Sequence, residues 1–441
     1  MENAFIIKGG NKLKGSIKLS GAKNAALKII IAALMFKNKV TIKNVPRIKD
    51  VEELIHLLTT LGAEVDFHDR HTLEIDGKGL KSNKVDLLHA SKIRVSFMLF
   101  APLLHKFSTC YVPNPGGCRI GARPIDRIID GMKSLGIRIE YDSDTGFYYA
   151  QVKSKIQGYY KYPKVTHTGT ELLIMLSVLG DDKVILDNTA LEPEIDDLIR
   201  FLNLAGARIK QLGKKITILP VKELKQKDAF EINSDRNEAV TYASIATASK
   251  GEIMLSPIQP EILKTFTAKM KQIGAEVENI GKSLIRFGYA GPLKASSVQT
   301  SPHPGFMTDW QPCWAILMTQ AKGESVIHER VFENRFSYVT ELRKLGADID
   351  FVKIPVKNPA EYFFFNFSPD KKYHQAIRIR GPQDLHGGVL NVADLRAGAT
   401  LATAALIADG ESVINGASII ERGYENFVEK VRSLGGEIKK L

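Results

Sequence analysis

Six apolar, helix-like stretches of this chain each begin with a polar or charged group. The groups are Lys23-Asn24, Arg94, Thr168-Gly169-Thr170, Arg236, Thr308-Asp309, and Asp394 with Arg396. Thr, Asn and Asp are ordinary first-turn residues, and capping alone accounts for any one of them. Lys and Arg are not, because the helix dipole disfavours a cation at its positive end. Free backbone N–H groups at such ends attract anions. Recurrent cations beside them therefore point to a cleft for an anionic substrate. A second feature is the loop Asn114-Pro115-Gly116-Gly117-Cys118-Arg119-Ile120-Gly121-Ala122-Arg123-Pro124. Arg119 and Arg123 favour the thiolate of Cys118, and the glycines leave its sulfur exposed. Taken alone, the loop fits an idle surface cysteine equally well. Beside a cationic cleft, a lid carrying an acid–base thiol is the better reading. His303, between Pro302 and Pro304, reads as part of a turn. No metal site is expected, since Cys110, Cys118 and Cys313 have no histidine at ligand spacing.

These residues must be positioned by a repeat. Leu61-Gly62-Ala63, Leu135-Gly136-Ile137, Ala205-Gly206-Ala207, Ile273-Gly274-Ala275, Leu345-Gly346-Ala347 and Leu434-Gly435-Gly436 each close an amphipathic run and precede a strand-like one. Glycine enters the left-handed region without a Cβ penalty, so each phrase reads as a helix end. Before each phrase the order is an apolar helix, a strand and a charged-face helix, as in Asn24 to Met35, Val40 to Ile42 and Val51 to Thr60. One unit is thus helix-strand-helix-strand-strand. The period, roughly 70 residues, is too long for a solenoid. The chain is expected to be α/β: six repeated subdomains in two domains of three, with the apolar helices buried on all sides. A strand before Lys23 implies an early crossing between domains. The expected division is residues 22–231 against 1–21 plus 232–441, with the two crossings side by side as a hinge.

Composition sets wider bounds. A chain of 441 residues, 44% of them hydrophobic, is long enough for several buried cores. The net charge of +12 would suit nucleic acid or a cleft for phosphates and carboxylates. Lys and Arg are scattered rather than blocked, which favours the cleft and no nucleic-acid partner. Three cysteines fit a reducing compartment. Ala4 to Ile7 is too short for a secretory leader, and Ile29 to Phe36 is far too short for a membrane span. A cytoplasmic monomer without membrane contact is expected.

Longer motifs then carry a resemblance. They are Leu19-Ser20-Gly21-Ala22-Lys23-Asn24-Ala25-Ala26, Asn44-Val45-Pro46 with Asp50-Val51, and Pro115 to Asp126. They continue with Glu192-Pro193-Glu194-Ile195, Pro302 through Asp309, Val331 through Phe336, Asp394-Leu395-Arg396-Ala397 and Arg422-Gly423-Tyr424-Glu425. Over essentially its whole length the chain resembles the enolpyruvyl transferase family, on its UDP-N-acetylglucosamine 1-carboxyvinyltransferase side. The resemblance implies an inside-out α/β barrel of six units in two domains. It implies transfer of the enolpyruvyl group of phosphoenolpyruvate to the 3-hydroxyl of UDP-N-acetylglucosamine, without a cofactor, as the first committed step of peptidoglycan synthesis. By position, Cys118 looks like the proton donor and Asp309 like the base, with Lys23 and Arg396 also catalytic. Lys23, Asn24, Arg123, Arg396 and Arg422 look like the grip on phosphoenolpyruvate. Asn24, Arg94, Arg123, Pro124, Ile125, Asp126, Arg127, Lys164, Val165, Thr166, His167, Asp309 and the backbone of Val331 look like the sugar-nucleotide site. Asp50, Arg335 and Asp394 look like supporting residues.

Three positions depart from the family pattern. Thr166-His167-Thr168-Gly169 replaces a Ser-Val-Gly-Ala type of run, Leu191 stands where Lys or Arg is general, and Met98 where an aromatic is frequent. Competing readings are a 5-enolpyruvylshikimate-3-phosphate synthase-like transferase, an RNA 3′-terminal phosphate cyclase-like enzyme, and an idle sugar-nucleotide-binding paralogue. The first lacks the Gly-Gly-Cys loop and the Lys-Asn pair. The second needs a histidine near the C-terminus, where the last one is His386. The joint presence of Cys118, Asp309, Lys23 and Arg396 argues against the third.

Overall fold

The computed structural model describes residues 3–116 and 124–441. Cys118 and Arg123 lie outside the described residues. The apolar stretches form the helices Lys23–Ala33, Phe100–Phe107, His167–Val178, Arg236–Ala248, Gln311–Thr319 and Leu395–Ile407. Long alanine, leucine and isoleucine runs favour helix, and with almost no charge they bury on every side. The expected start at Arg94 is instead a 3₁₀ stretch, Arg94–Leu99, running into the helix Phe100–Phe107. The second helices are one-sided. Lys49–Thr60 buries Val51, Leu54, Leu57 and Leu58 and exposes Glu52 and His56. All six phrase glycines, 62, 136, 206, 274, 346 and 435, have φ between 89° and 101°. That conformation ends each helix and turns the chain into the next strand.

The described residues divide into two compact units, 21–116 with 124–233, and 3–20 with 234–441. Each has its own hydrophobic core. Each holds three small sheets. Within a sheet, the strand before a buried helix pairs in parallel with the strand after it, and an antiparallel hairpin completes the set. Gly158–Lys161 with Val184–Asp187, Val298–Gln299 with Gly323–His328, and Val389–Asn391 with Glu411–Asn415 follow this plan. In the sheet of Thr109–Pro113 the parallel strand shrinks to one bridge, Lys84 to Tyr111.

Two helices break the plan in a reciprocal way. Lys14–Lys18 precedes the helix Lys23–Ala33 in sequence but pairs with Glu252–Ser256. Phe230–Glu231 precedes the helix Arg236–Ala248 but pairs with Val40–Lys43. The chain therefore changes unit before each of these helices. At the first change Ala22 N–H donates to the Asn233 carbonyl at 2.7 Å, and at the second Asp235 N–H donates to the Ser20 carbonyl at 2.9 Å. The last sheet is closed by the start of the chain, since Ala4–Lys8 lies antiparallel between Glu411–Asn415 and Glu437–Lys440. No helix among the described residues is long and apolar enough to cross a membrane.

Candidate active site

In the second unit the helix Leu395–Ile407 is capped by Asp394. Its Oδ1 accepts from the N–H groups of Arg396 (3.1 Å) and Ala397 (3.2 Å). The same oxygen accepts from Arg335 Nη1 at 3.2 Å, and Oδ2 accepts from the Ser337 hydroxyl at 2.9 Å. Arg335 turns its other nitrogen, Nη2, to Asp309 Oδ1 at 2.7 Å. Asp309 Oδ2 lies 3.6 Å from Arg396 Nε. The Asp309 carboxylate is thus bracketed by two guanidinium groups. The arginine side chains are only 3% and 5% exposed, whereas that of Asp309 is 24% exposed. The cations form a buried floor, and the carboxylate is the group that a ligand can reach. Burial works against the charge of both arginines. Asp394 and Asp309 outweigh it at Arg335, and Tyr424, Asp309 and Asp235 do so at Arg396, so both are held above the usual arginine range. Tyr424 lies under Arg396, and burial pushes its phenol up to about 12.

Asp309 stands one residue before the cap position of its helix. The cap position of Gln311–Thr319 falls on Trp310, which makes no side-chain cap bond. Val331, expected to act through its backbone, donates its N–H to Glu329 Oε1 at 2.7 Å. Arg422 follows the short helix Ala417–Ile420, half-buried.

Asp235 and Glu329 escaped the sequence reading, and His303 was read only as part of a turn. Asp235 caps the helix Arg236–Ala248 through the N–H groups of Asn237 and Glu238, as Asp394 does in the last unit. Asp followed three residues later by Glu238 is a capping signature that would have found it. His303 does sit in a turn, with the Gly305 N–H on the Pro302 carbonyl, but its Nδ1 also meets Arg236 Nη1 at 3.1 Å. Glu329 is buried, and burial pushes its carboxyl up against the bonds from Val331 N–H and the Thr308 hydroxyl. Only the folded chain brings it to those donors.

The first unit carries the other residues of the expected site. Lys23 opens its helix against the dipole and is compensated by Asp50, Nζ to Oδ2 at 2.8 Å, with both side chains nearly buried. Asn24 follows in the same first turn. Arg94 begins its 3₁₀ stretch with the guanidinium 5.8 Å from the Phe97 ring centre. Pro124 and Ile125 lead into the helix Asp126–Ser134, whose first turn holds Asp126 and Arg127. Lys164 is held below the usual lysine range by burial and by the charge of Arg127. Two cations so placed are relieved by an anion. Val165 precedes Thr166, whose hydroxyl caps the helix His167–Val178 by accepting from Gly169 N–H at 3.3 Å. His167 lies 3.2 Å from the buried Glu171, which also faces Lys28 Nζ at 3.2 Å. The structure therefore assembles Asp309, Arg335, Asp394 and Arg396 in one unit, and Lys23 with Asp50 and Arg127 with Lys164 in the other. No cluster of metal-ligating side chains occurs among the described residues.

The model of the EPSP synthase (3-phosphoshikimate 1-carboxyvinyltransferase) family matches residues 7–431, and the chain belongs to that family. Relatives called UDP-N-acetylglucosamine 1-carboxyvinyltransferase match it nearly end to end. The one from Acidobacterium capsulatum is 35% identical over 99% of this chain and 96% of its own. The one from Halothermothrix orenii is 38% identical over 99% of both. Among solved structures, the enolpyruvyl transferase NikO from Streptomyces tendae superposes with a TM-score of 0.85 at 20% identity, covering 100% of this chain and 99% of that one. EPSP synthase from Acinetobacter baumannii gives 0.70 at 18%, covering 99% and 100%. The fold is the inside-out α/β barrel of the enolpyruvyl transferases.

Proposed function

We propose that this enzyme transfers the enolpyruvyl group of phosphoenolpyruvate to the 3-hydroxyl of UDP-N-acetylglucosamine and releases phosphate. The observation that carries the reading is the Asp309 carboxylate set between the buried Arg335 and Arg396, in a chain so close to relatives of that name. The sugar oxygen adds to C2 of phosphoenolpyruvate while a proton reaches C3. Loss of phosphate and of a C3 proton then restores the double bond. Asp309 takes the hydroxyl proton and Cys118 delivers one to the methylene carbon. Lys23, Arg123, Arg396 and Arg422 hold the carboxylate and phosphate, where fixed cations lower the cost of developing charge. Asn24 and Arg94, residues 123–127, residues 164–167 and the backbone of Val331 hold the sugar nucleotide. Asp50, Arg335 and Asp394 keep the cations in place.

The reading asks for no metal or cofactor and no nucleic acid. It places the enzyme in the cytoplasm as a monomer, at the first committed step of peptidoglycan synthesis, with residues 22–231 and 1–21 plus 232–441 as its two three-unit domains. Phosphate release with phosphoenolpyruvate tests it. UDP-N-acetylglucosamine should support turnover and shikimate 3-phosphate should not, and the reverse result would move the chain to the other branch of the family. The thiols give an independent check. Cys110 and Cys313 are buried, and burial pushes both thiols up. A phosphonate-bearing epoxide should therefore label Cys118 first, as read by peptide mass mapping, and label mainly on Cys110 or Cys313 would remove Cys118 from its role.

A further inference from the structure

Residues 352–375 separate the strands Asp348–Phe351 and Ala376–Gly381 of one hairpin. The equivalent connections elsewhere are only residues 68–72, 143–146, 213–214 and 281–283. The long connection contains Tyr362-Phe363-Phe364-Phe365-Asn366-Phe367. Its rings stack on one another, with Phe363 centred 4.9 Å from Phe365 and 5.8 Å from Phe367, and Phe365 5.2 Å from Tyr373. Such a cluster holds a long loop in one conformation.

This loop grips Arg330, the residue before Val331. The Arg330 guanidinium lies 4.0 Å over the Tyr362 ring and 5.2 Å from that of Phe364. Its Nε and Nη2 both donate to the Tyr362 carbonyl, at 3.3 and 3.0 Å. Its own carbonyl accepts from Phe364 N–H at 2.8 Å, and its N–H donates to the Thr300 hydroxyl at 2.8 Å. On one side, Glu329 N–H donates to the Gln375 carbonyl at 2.7 Å, at the far end of the loop. On the other, Glu329 Oε1 holds the N–H groups of Val331 and Phe332. The segment that ends at Arg335, the partner of Asp309, is thus tied to the loop at Glu329 and Arg330, and Glu329 carries the tie on to Val331 and Phe332.

We propose that Arg330 and the loop 352–375 form a clamp that positions residues 329–335, and that Arg330 is a positioning residue for the sugar nucleotide. Arg330 acts through Val331 and touches no reacting atom. The nucleotide part of this statement rests on the functional reading above; the clamp does not. A planar guanidinium that donates twice to one carbonyl while stacking on a ring cannot be replaced by an ammonium.

The test uses the full chain with Arg330→Ala, Arg330→Lys and Tyr362→Phe, read by hydrogen exchange and by kinetics. In the free protein, peptides covering 329–335 should exchange about tenfold faster in both Arg330 variants, while peptides from Lys23–Ala33 keep their rates. Tyr362→Phe keeps the ring and the carbonyl and loses only the hydroxyl contact to His328, so it should keep the protection. In turnover, both Arg330 variants should raise KM for UDP-N-acetylglucosamine by about tenfold, with the KM for phosphoenolpyruvate within about twofold. Unchanged exchange at 329–335 overturns the clamp. Full rescue by lysine also overturns it, because charge alone would then suffice. If the unaltered enzyme releases no phosphate from this substrate pair, the functional reading falls, and the exchange arm still decides the clamp.

Discussion

The helices Gln311–Thr319 and Leu395–Ile407 hold the same place in successive units, and each has an aspartate just before it. Asp394 spends one oxygen on two helix N–H groups and on Arg335, and the other on Ser337. Asp309 stands one residue before the cap position and faces Arg335 and Arg396. One repeat position thus carries a buried capping carboxylate in one unit and a part-exposed one between two guanidinium groups in the next. The buried Arg335 joins them, so the position of one carboxylate bears on that of the other. The first unit offers a contrast. There Glu171 is fully buried between Lys28 and His167, where a charge is balanced deep in the core.

Four substitutions can break or sharpen this comparison. The largest effect is expected from Asp309→Asn. Asparagine keeps the size but cannot accept the hydroxyl proton, so kcat should fall by about 10²–10⁴-fold with little change in substrate KM. Near-normal turnover in a folded variant would return Asp309 to a structural role. Lys28→Met should come next. It leaves Glu171 buried beside His167 alone and should cost about 3–5 kcal/mol in urea unfolding. Adding Glu171→Leu should recover most of that loss; failure to recover would mean that Lys28 acts by packing rather than by charge.

Asp394→Ala removes a cap worth about 1 kcal/mol and strips Arg335 of one anion. It should lower the unfolding midpoint and also reduce kcat, because Arg335 then aims Asp309 less firmly. A stable Asp394→Ala enzyme with full kcat would separate the two aspartates. The smallest effect concerns His167. Burial opposes its charge and so does Lys28, but Glu171, with help from Glu192, raises its pKa above the usual 6.5. A raised folded pKa adds stability that is complete below about 6.5 and is lost as pH rises through the folded value. His167→Gln should flatten that part of the stability profile. His328 has the opposite sign, since burial and Arg330 lower it to about 4, so its contribution fades as pH falls from about 6.5 towards 4. A His167→Gln profile with an unchanged slope above pH 6.5 would show that the imidazole is neutral in the fold.

What the residue order determined by itself is local. Glycines at φ near 90° end helices wherever they fall, and charge-free runs bury on all sides whatever surrounds them, so the repeat and its helices were legible in advance. The polar helix starts were legible too, because a cation at a helix N-terminus needs a partner, and Lys23 finds Asp50. Which aspartate caps its helix and which lies part-exposed between two arginines was not legible. That depends on Arg335, which is distant in sequence from both helix starts. Glu329, His303 and the grip on Arg330 were hidden for the same reason, since their partners meet only after the sheets form. The sheets themselves hold the clearest case. An early crossing before Lys23 was expected, but not which strands would pair across it, and in the fold Lys14–Lys18 joins Glu252–Ser256 while Phe230–Glu231 joins Val40–Lys43. The last sheet likewise takes its closing strand from the start of the chain. Strand pairing joins backbone groups without regard to sequence distance, so its register and partners are decided by the packed cores and not by the segments alone.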